Sequence, residues 1–380
     1  MGLPFGIQYT LILAPLFFFQ SVNEYGKVYK GFVLISGLYL IAHFFNDHVG
    51  WYYYYRSMLL HFLTLIQVIW FYDAVNRKPE IVLRTFDKVV IINSWFFILA
   101  ILTLSIGYAD LFWEVSKFSR VGLLPRFRLF TIEPSYYSMA FAPILFFFIV
   151  KRDKPKVLVL LVALFASLSF GVLGGIILSL LILFIKKTRH RIDKKKLTQI
   201  GYLMLGVFVI IVIISFLFPE NIVFVRLGNI LTGNDSSARG RISEPWLLAN
   251  KILKEHGSYL FGVGWGQIRE LGQEIIRSFY SYTQTPTSKF GLPNVLTEIL
   301  TIFGYVGLVI VLAVEIVLYR ITNVSKSDFR FLIFWFIFIY QFTGSYSSSV
   351  LFYCYWVLAF SSSIDKILAK DNFDLSRKKL

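Results

Sequence analysis

Residues 157–185 read VLVLLVALFASLSFGVLGGIILSLLILFI, without one charged side chain. A hydrocarbon core about 30 Å thick is crossed by about 20 helical residues, so the run is too long for one straight crossing. Ser167, Ser169, Gly171, Gly174 and Gly175 interrupt it midway, which predicts two short helices joined by a tight turn. Working outward, further runs of crossing length lie near 4–22, 31–46, 57–75, 88–107, 136–150, 198–218, 293–319, 329–345 and 348–365. The last two are short and flank a polar run from Thr343 to Ser349. The chain therefore reads as all-α, a polytopic transmembrane helix bundle of about eleven spans (10–12), forming one integral membrane domain over residues 1–380.

Composition supports this class. Hydrophobic residues make up 57% and aromatic residues 18% of the 380 positions, and mean hydropathy is +0.66. A soluble chain of this length cannot hide so much apolar surface, because small globules keep a large exposed area. Lipid accepts it.

The net charge of +16 does not indicate nucleic acid, because the basic residues lie between apolar runs rather than on one face. The segments near 23–30, 76–88, 151–156, 186–196, 320–330 and 366–380 hold 25 Lys and Arg, against 13 in the alternate segments. Short, densely basic loops belong inside, so the C-terminus is expected in the cytoplasm and the N-terminus outside. Segments 108–135 and 219–292 then face outward. The first apolar run lacks a basic leader and an obvious small-residue cleavage site, so no cleavable signal peptide is expected. The aromatic run from Trp51 to Tyr55 fits interfacial anchoring better than sugar stacking. No internal repeat supports an inverted-repeat transporter.

Chemistry is expected in the outward segments. In 219–292, Ile242, Trp246, Ala249 and Leu253 recur at helical spacing, with Ser243 placed as N-cap, Pro245 in the first turn and Gly257 as the stop. A second short helix is expected over Ile268 to Phe279, which makes this loop large and partly helical. Ahead of the first helix, Arg239-Gly240-Arg241 could cradle an oxyanion or phosphate, or be two solvated loop cations. The run Gly262-Val263-Gly264-Trp265-Gly266 makes a tight turn or brings backbone close to a ligand. In 108–135, Glu133 stands just ahead of an apolar span, where a carboxylate must be paired, solvated or functional. Arg126 and Arg128 are its candidate partners by nearness in sequence, and a carboxylate favoured by the helix macrodipole is the alternative. Asn294 and Glu298 sit one helical turn apart at the outer end of a late span, either lining a cavity or starting an ordinary helix.

No metal site is expected. The only cysteine, Cys354, lies in an apolar run, and none of His43, His48, His61, His190 and His256 shows metal-ligand spacing. No nucleotide-binding glycine motif and no Asp-x-Asp motif is present, so a soluble sugar-nucleotide donor is not indicated.

The order of these features resembles Wzy-type O-antigen polymerases and, more distantly, O-antigen ligases. Arg128 with Glu133-Pro134-Ser135 carries the resemblance, followed by Arg239-Gly240-Arg241 with Trp246. After them come Leu260 to Gly266 and Asn294 through Glu298 to Gly304, and the split span with Ser167 and Ser169 matches as well. The resemblance implies a GT-C-like, metal-independent glycosyltransferase of the bacterial inner membrane. Working on the periplasmic face without a cofactor, it would move the growing glycan from undecaprenyl diphosphate to a new lipid-linked repeat unit. The residues and the resemblance together place Arg239 and Arg241 on the leaving diphosphate and Arg128 on the acceptor lipid. The resemblance leaves the general base unassigned, and Glu133 is the candidate because the acceptor hydroxyl must lose its proton. Arg126, Trp246, Asn294 and Glu298 are implied to contact diphosphate or glycan. The expected partners are the undecaprenyl-diphosphate-linked oligosaccharide, membrane lipid and a separate protein that regulates chain length. Ligases of this superfamily carry a His-Asn-like pair where this chain has Pro293-Asn294, which favours polymerase. A ligase and a lipid-linked oligosaccharide flippase are the rival readings.

Overall fold

The computed structural model describes residues 9–45, 49–118, 122–188, 236–256, 259–280, 291–344 and 346–368, with positions 225, 228, 229, 232 and 233. The span expected near 198–218 lies outside the described residues. Helices α1 (Ala14–Phe44), α2 (Trp51–Arg77) and α3 (Pro79–Ser105) lead to strands β1 (Trp113–Phe118) and β2 (Gly122–Phe127). Then come α4 (Pro134–Lys151), α5 (Lys154–Ala166) and α6 (Phe170–Thr188), followed by α7 (Ser236–Ile242), α8 (Glu244–Glu255) and α9 (Gln273–Tyr280). The chain closes with α10 (Val295–Ile321), α11 (Asp328–Tyr340) and α12 (Val350–Phe360). Among the described residues, α2, α3, α4, α6 and α10 are long and apolar enough to cross a membrane, and α12 is a shorter apolar helix.

The chain divides into two compact units, one of 1–89, 146–152 and 240–380, the other of 90–145 and 153–239. In the second unit the expected turn appears between α5 and α6. Leu168 takes φ 48°, a left-handed conformation that costs a branched residue energy and persists only where its surroundings hold it. The Ser167 hydroxyl supplies that hold, meeting Ser138 Oγ at 2.5 Å and accepting from Ser169 N at 3.3 Å. Segment 108–135 departs from the all-α expectation. It contains an antiparallel hairpin that pairs Trp113 with Phe127 and Glu114 with Arg126. Trp113 and Phe127 turn inward, and the indole N–H of Trp113 donates to Ala100 O at 2.8 Å. Pro125 within a six-residue strand hides this hairpin from pattern reading.

In the first unit, segment 23–30 was expected as a basic loop between two spans, yet it is helical. The backbone of α1 leaves helical geometry only at Tyr25 (φ −103°, ψ 17°). The last turn of α2 satisfies the polar groups there: Tyr25 Oη donates to Asp73 at 2.8 Å, and Arg77 pairs with both Glu24 and Asp73.

Helix α10 is broken at Gly304 (φ 68°, ψ −172°). The break removes the bonds that would join Thr301 O to Tyr305 N and Ile302 O to Val306 N. Segment 259–264 takes all four groups. Val263 N and Gly264 N donate to Thr301 O and Ile302 O at 2.8 and 3.0 Å, while Tyr305 N and Val306 N donate to Tyr259 O and Leu260 O at 2.9 and 3.2 Å. Backbones this close leave no room for side chains: a Cβ on Gly262 would fall 2.3 Å from Ile302 O, and one on Gly304 2.2 Å from Leu260 O. The glycine run therefore brings backbone close to a helix of the same chain.

At the other end of this unit, the guanidinium of Arg330 is 2% exposed. It donates to Ala359 O at 2.9 Å and Thr322 O at 2.6 Å, and pairs with Asp365 at 3.0 Å, tying α11 to the turn before it, to the end of α12 and to the segment after α12.

Two stability outcomes follow from these contacts, read as thermal unfolding of the full chain in detergent. Gly304→Ala should lower the midpoint clearly, since it combines a forbidden contact with a positive φ, while Gly171→Ala, with open space at its Cβ, should leave it unchanged. Arg330→Met should cost about 3 kcal/mol or more, because it strands several buried carbonyls and one carboxylate.

Candidate functional site

The first unit places a polar cluster where α10 begins. Asn294 caps the helix, its Oδ1 accepting from Thr297 N at 3.2 Å. Its Nδ2 donates to Phe342 O at 2.5 Å and to Arg241 O at 3.0 Å. Asn294 is fully buried, and its amide joins α7, α10 and the segment after α11. One turn on, Glu298 is half-buried and its Oε2 accepts from Ser347 N at 2.6 Å. The charge of Arg269 also acts on this carboxylate.

Arg239 and Arg241 lie on helix α7 rather than on an open loop. Successive helical residues are rotated by about 100°, so residues two apart point to nearly opposite sides. The two guanidinium groups therefore do not form one bidentate fork, and Arg239 is exposed while Arg241 is half-buried. Arg241 is the one pinned to α10, through its carbonyl, and its guanidinium has no partner among the described residues.

Helix α8 follows the expected pattern from Trp246 onward, whereas Ile242 ends α7 and is exposed. Pro245 sits in its first turn, and Leu248, Ala249, Ile252 and Leu253 are buried. Ser243 stands at the N-cap position but makes no capping bond, because its backbone is itself α-helical (φ −101°, ψ −46°) as α7 runs into α8. Trp246 is half-buried against the unit's core. The second short helix of this loop runs over Gln273–Tyr280, after a 3-10 turn at Gln267–Arg269.

In the second unit, Arg126 pairs with Glu114 across the hairpin at 3.5 Å and donates through Nε to Ser167 O at 3.4 Å. It thus links the hairpin to the α5–α6 turn. Arg128 donates to Asp110 O at 3.0 Å and Ile132 O at 3.5 Å. Neither arginine pairs with Glu133, although the sequence made them candidates. The Glu133 carboxylate is exposed and accepts only from Ser135 Oγ at 3.1 Å, while its carbonyl accepts from Tyr136 N at 3.1 Å as α4 begins. Leu129, between these residues, takes φ 53°.

Three residues of the first-unit cluster were not singled out by sequence. His61 on α2 meets Ser347 Oγ at 2.9 Å and packs edge-on against Trp265, with ring centroids 4.4 Å apart. Arg269 is an exposed cation whose charge reaches Glu298. Ser347 lies in the polar run between the last two helices. A histidine inside an apolar run is itself a flag, but nothing in its spacing points to positions 265, 298 or 347. Among the described residues, no group of three His, Cys, Asp or Glu side chains could hold a metal ion.

The cluster thus offers a guanidinium with no partner among the described residues and a carboxylate held by Ser347, joined through a buried asparagine. Comparison with curated proteins finds no match. The family described as WcaD colanic acid polymerase matches residues 1–361. The chain belongs to that family, and is therefore a polysaccharide-polymerising enzyme of glycosyltransferase type, with helices long and apolar enough to span a membrane.

Proposed function

We propose that this protein polymerises undecaprenyl-diphosphate-linked repeat units on the periplasmic face of the bacterial inner membrane. The growing glycan leaves its diphosphate carrier and joins a hydroxyl of a new lipid-linked unit. The observation that supports this reading is that a cation, Arg241, and a carboxylate, Glu298, are both tied to the start of α10. Arg241 is fixed through its own carbonyl to Asn294, and the Glu298 carboxylate stands one turn further along α10.

The chemistry asks for these groups. A diphosphate leaving group develops negative charge as its bond to the anomeric carbon breaks, and a preorganised guanidinium stabilises it. Arg241 supplies that charge, with Arg239 as a second cation on the other side of the short helix. The acceptor hydroxyl loses its proton as it attacks, and a carboxylate takes it. Glu133 fits that role because its carboxylate is exposed and not neutralised by an arginine. Arg128 orients the acceptor lipid, and Arg126 holds the hairpin to the α5–α6 turn. Trp246, Asn294 and Glu298 belong to the glycan and diphosphate side of the reaction. A separate protein that sets chain length remains an expected partner.

The O-antigen resemblance and the colanic acid description of the family agree on polymerisation of a repeat unit and differ in the sugars. Sugar identity is read by hydroxyl geometry at the site, which short motifs do not encode.

Cells lacking the protein should build a single repeat but no polymer ladder on gels, and the wild-type gene should restore the ladder. Arg241→Ala should reduce polymer on the order of a hundredfold at unchanged protein level, as expected for loss of one preorganised transition-state donor. Arg239→Ala should cost less, since that side chain is exposed. Glu133→Gln should abolish the ladder, and a normal ladder from this variant removes Glu133 from the mechanism. Loss of even the single repeat in the deletion would point to a flippase or ligase instead.

A further inference from the structure

Ser347 is a junction of three segments within the first unit. Its N–H donates to Glu298 Oε2 at 2.6 Å, its carbonyl accepts from Tyr353 Oη at 2.8 Å, and its hydroxyl lies 2.9 Å from His61 Nε2. One turn along α2, Thr64 Oγ1 donates to Ser348 O at 3.2 Å. Helix α2 therefore grips the 347–348 segment at two points.

The direction of the His61 contact follows from its other nitrogen. Nδ1 lies 2.8 Å from Ser57 O. A carbonyl oxygen only accepts, so Nδ1 carries the proton, and Nε2 of the neutral ring is an acceptor. The Ser347 hydroxyl then donates to Nε2. Trp265 against the ring leaves it little room to turn. His61 at its hydroxyl and Tyr353 at its carbonyl hold Ser347 in place, and with it the backbone N–H that donates to Glu298.

A carboxylate held through one oxygen by a fixed N–H presents the other oxygen along a defined line. The bond from Ser347 N is to Glu298 Oε2, and among the described residues no hydrogen bond is recorded to Oε1. A sugar hydroxyl is a directional O–H donor, and a charge-assisted bond to an oriented carboxylate reads its position. We propose that Glu298 Oε1 anchors one hydroxyl of the glycan substrate, and that His61 is a positioning residue that aims this carboxylate through Ser347. This rests on the reading above that the substrate is a lipid-linked glycan. It separates two carboxylate roles, proton transfer at Glu133 and hydroxyl recognition at Glu298.

The test uses purified full-length protein in proteoliposomes, supplied with lipid-linked repeat units extracted from cells that lack it. Glu298→Gln should raise KM about tenfold or more with kcat little changed, the loss expected for one charge-assisted bond. His61→Leu should raise KM in the same direction by a smaller factor. His61→Gln, whose amide oxygen can stand where Nε2 stands and accept from Ser347, should recover most of that loss. Ser347→Ala, which removes the hydroxyl and keeps the N–H, should match His61→Leu and stands in for it if that variant does not fold. Wild-type KM in both His61→Leu and Ser347→Ala would overturn the positioning role, as would a His61→Gln variant no better than His61→Leu. A fall in kcat at constant KM for Glu298→Gln would overturn the anchoring role. If wild-type protein does not elongate the extracted lipids, the substrate reading fails and this proposal with it.

Discussion

Four backbone hydrogen bonds between segment 259–264 and the break in α10 hold the first unit's arrangement together. An apolar helix that stops bonding to itself exposes two N–H groups and two carbonyls, and each orphan costs free energy of a few kcal/mol where water is excluded. The chain resolves this by laying another of its own segments across the gap, as a strand would pair at a sheet edge. The fit works only with no side chain on the facing surfaces, which is why Gly262 and Gly304 stand opposite each other. That patch docks the large loop onto α10. It also carries Trp265 inward to His61 and sets α8 against the same helix, where Tyr305 Oη reaches Asn250 at 2.7 Å.

The polar cluster at the start of α10 follows from this docking. Asn294 serves as helix cap and as the link between Arg241 and the segment after α11, so the cation and the carboxylate sit on connected backbone. A rigid scaffold of this kind suits a reaction in which charge develops on a diphosphate while a hydroxyl is being placed. Dipoles and charges already in position need no reorganisation as the bond breaks. The second unit has its own junction, Ser167, where the α5–α6 turn meets Arg126 of the hairpin and Ser138 of α4.

Local features were legible where one short stretch decides them. The turn at Ser167 to Ser169 announces itself by small and polar residues in the middle of an apolar run. Helix α8 announces itself by its apolar spacing and by Pro245. The hairpin was not legible, because its strands are short and Pro125 masks the alternation. The kinked continuity of α1 was not legible either: Glu24, Lys27 and Lys30 read as a loop until Asp73 and Arg77, far along the chain, are seen to accommodate that segment. Arg239 and Arg241 were found by motif, but their divergence required knowing that α7 is helical.

Sequence alone determined the solvent and the class. Apolar run lengths and the distribution of Lys and Arg specify a helical membrane protein, because burying those runs in lipid and keeping charge out of it are sums over single residues. The motifs also placed Arg241, Asn294 and Glu298 among the residues of interest. Tertiary structure decided what those residues touch. Glu298 is aimed by Ser347, and Ser347 by a histidine 286 positions away. Hydrogen-bond direction depends on distances of a few ångströms between segments that chain order keeps apart, and no period or spacing along one segment records it.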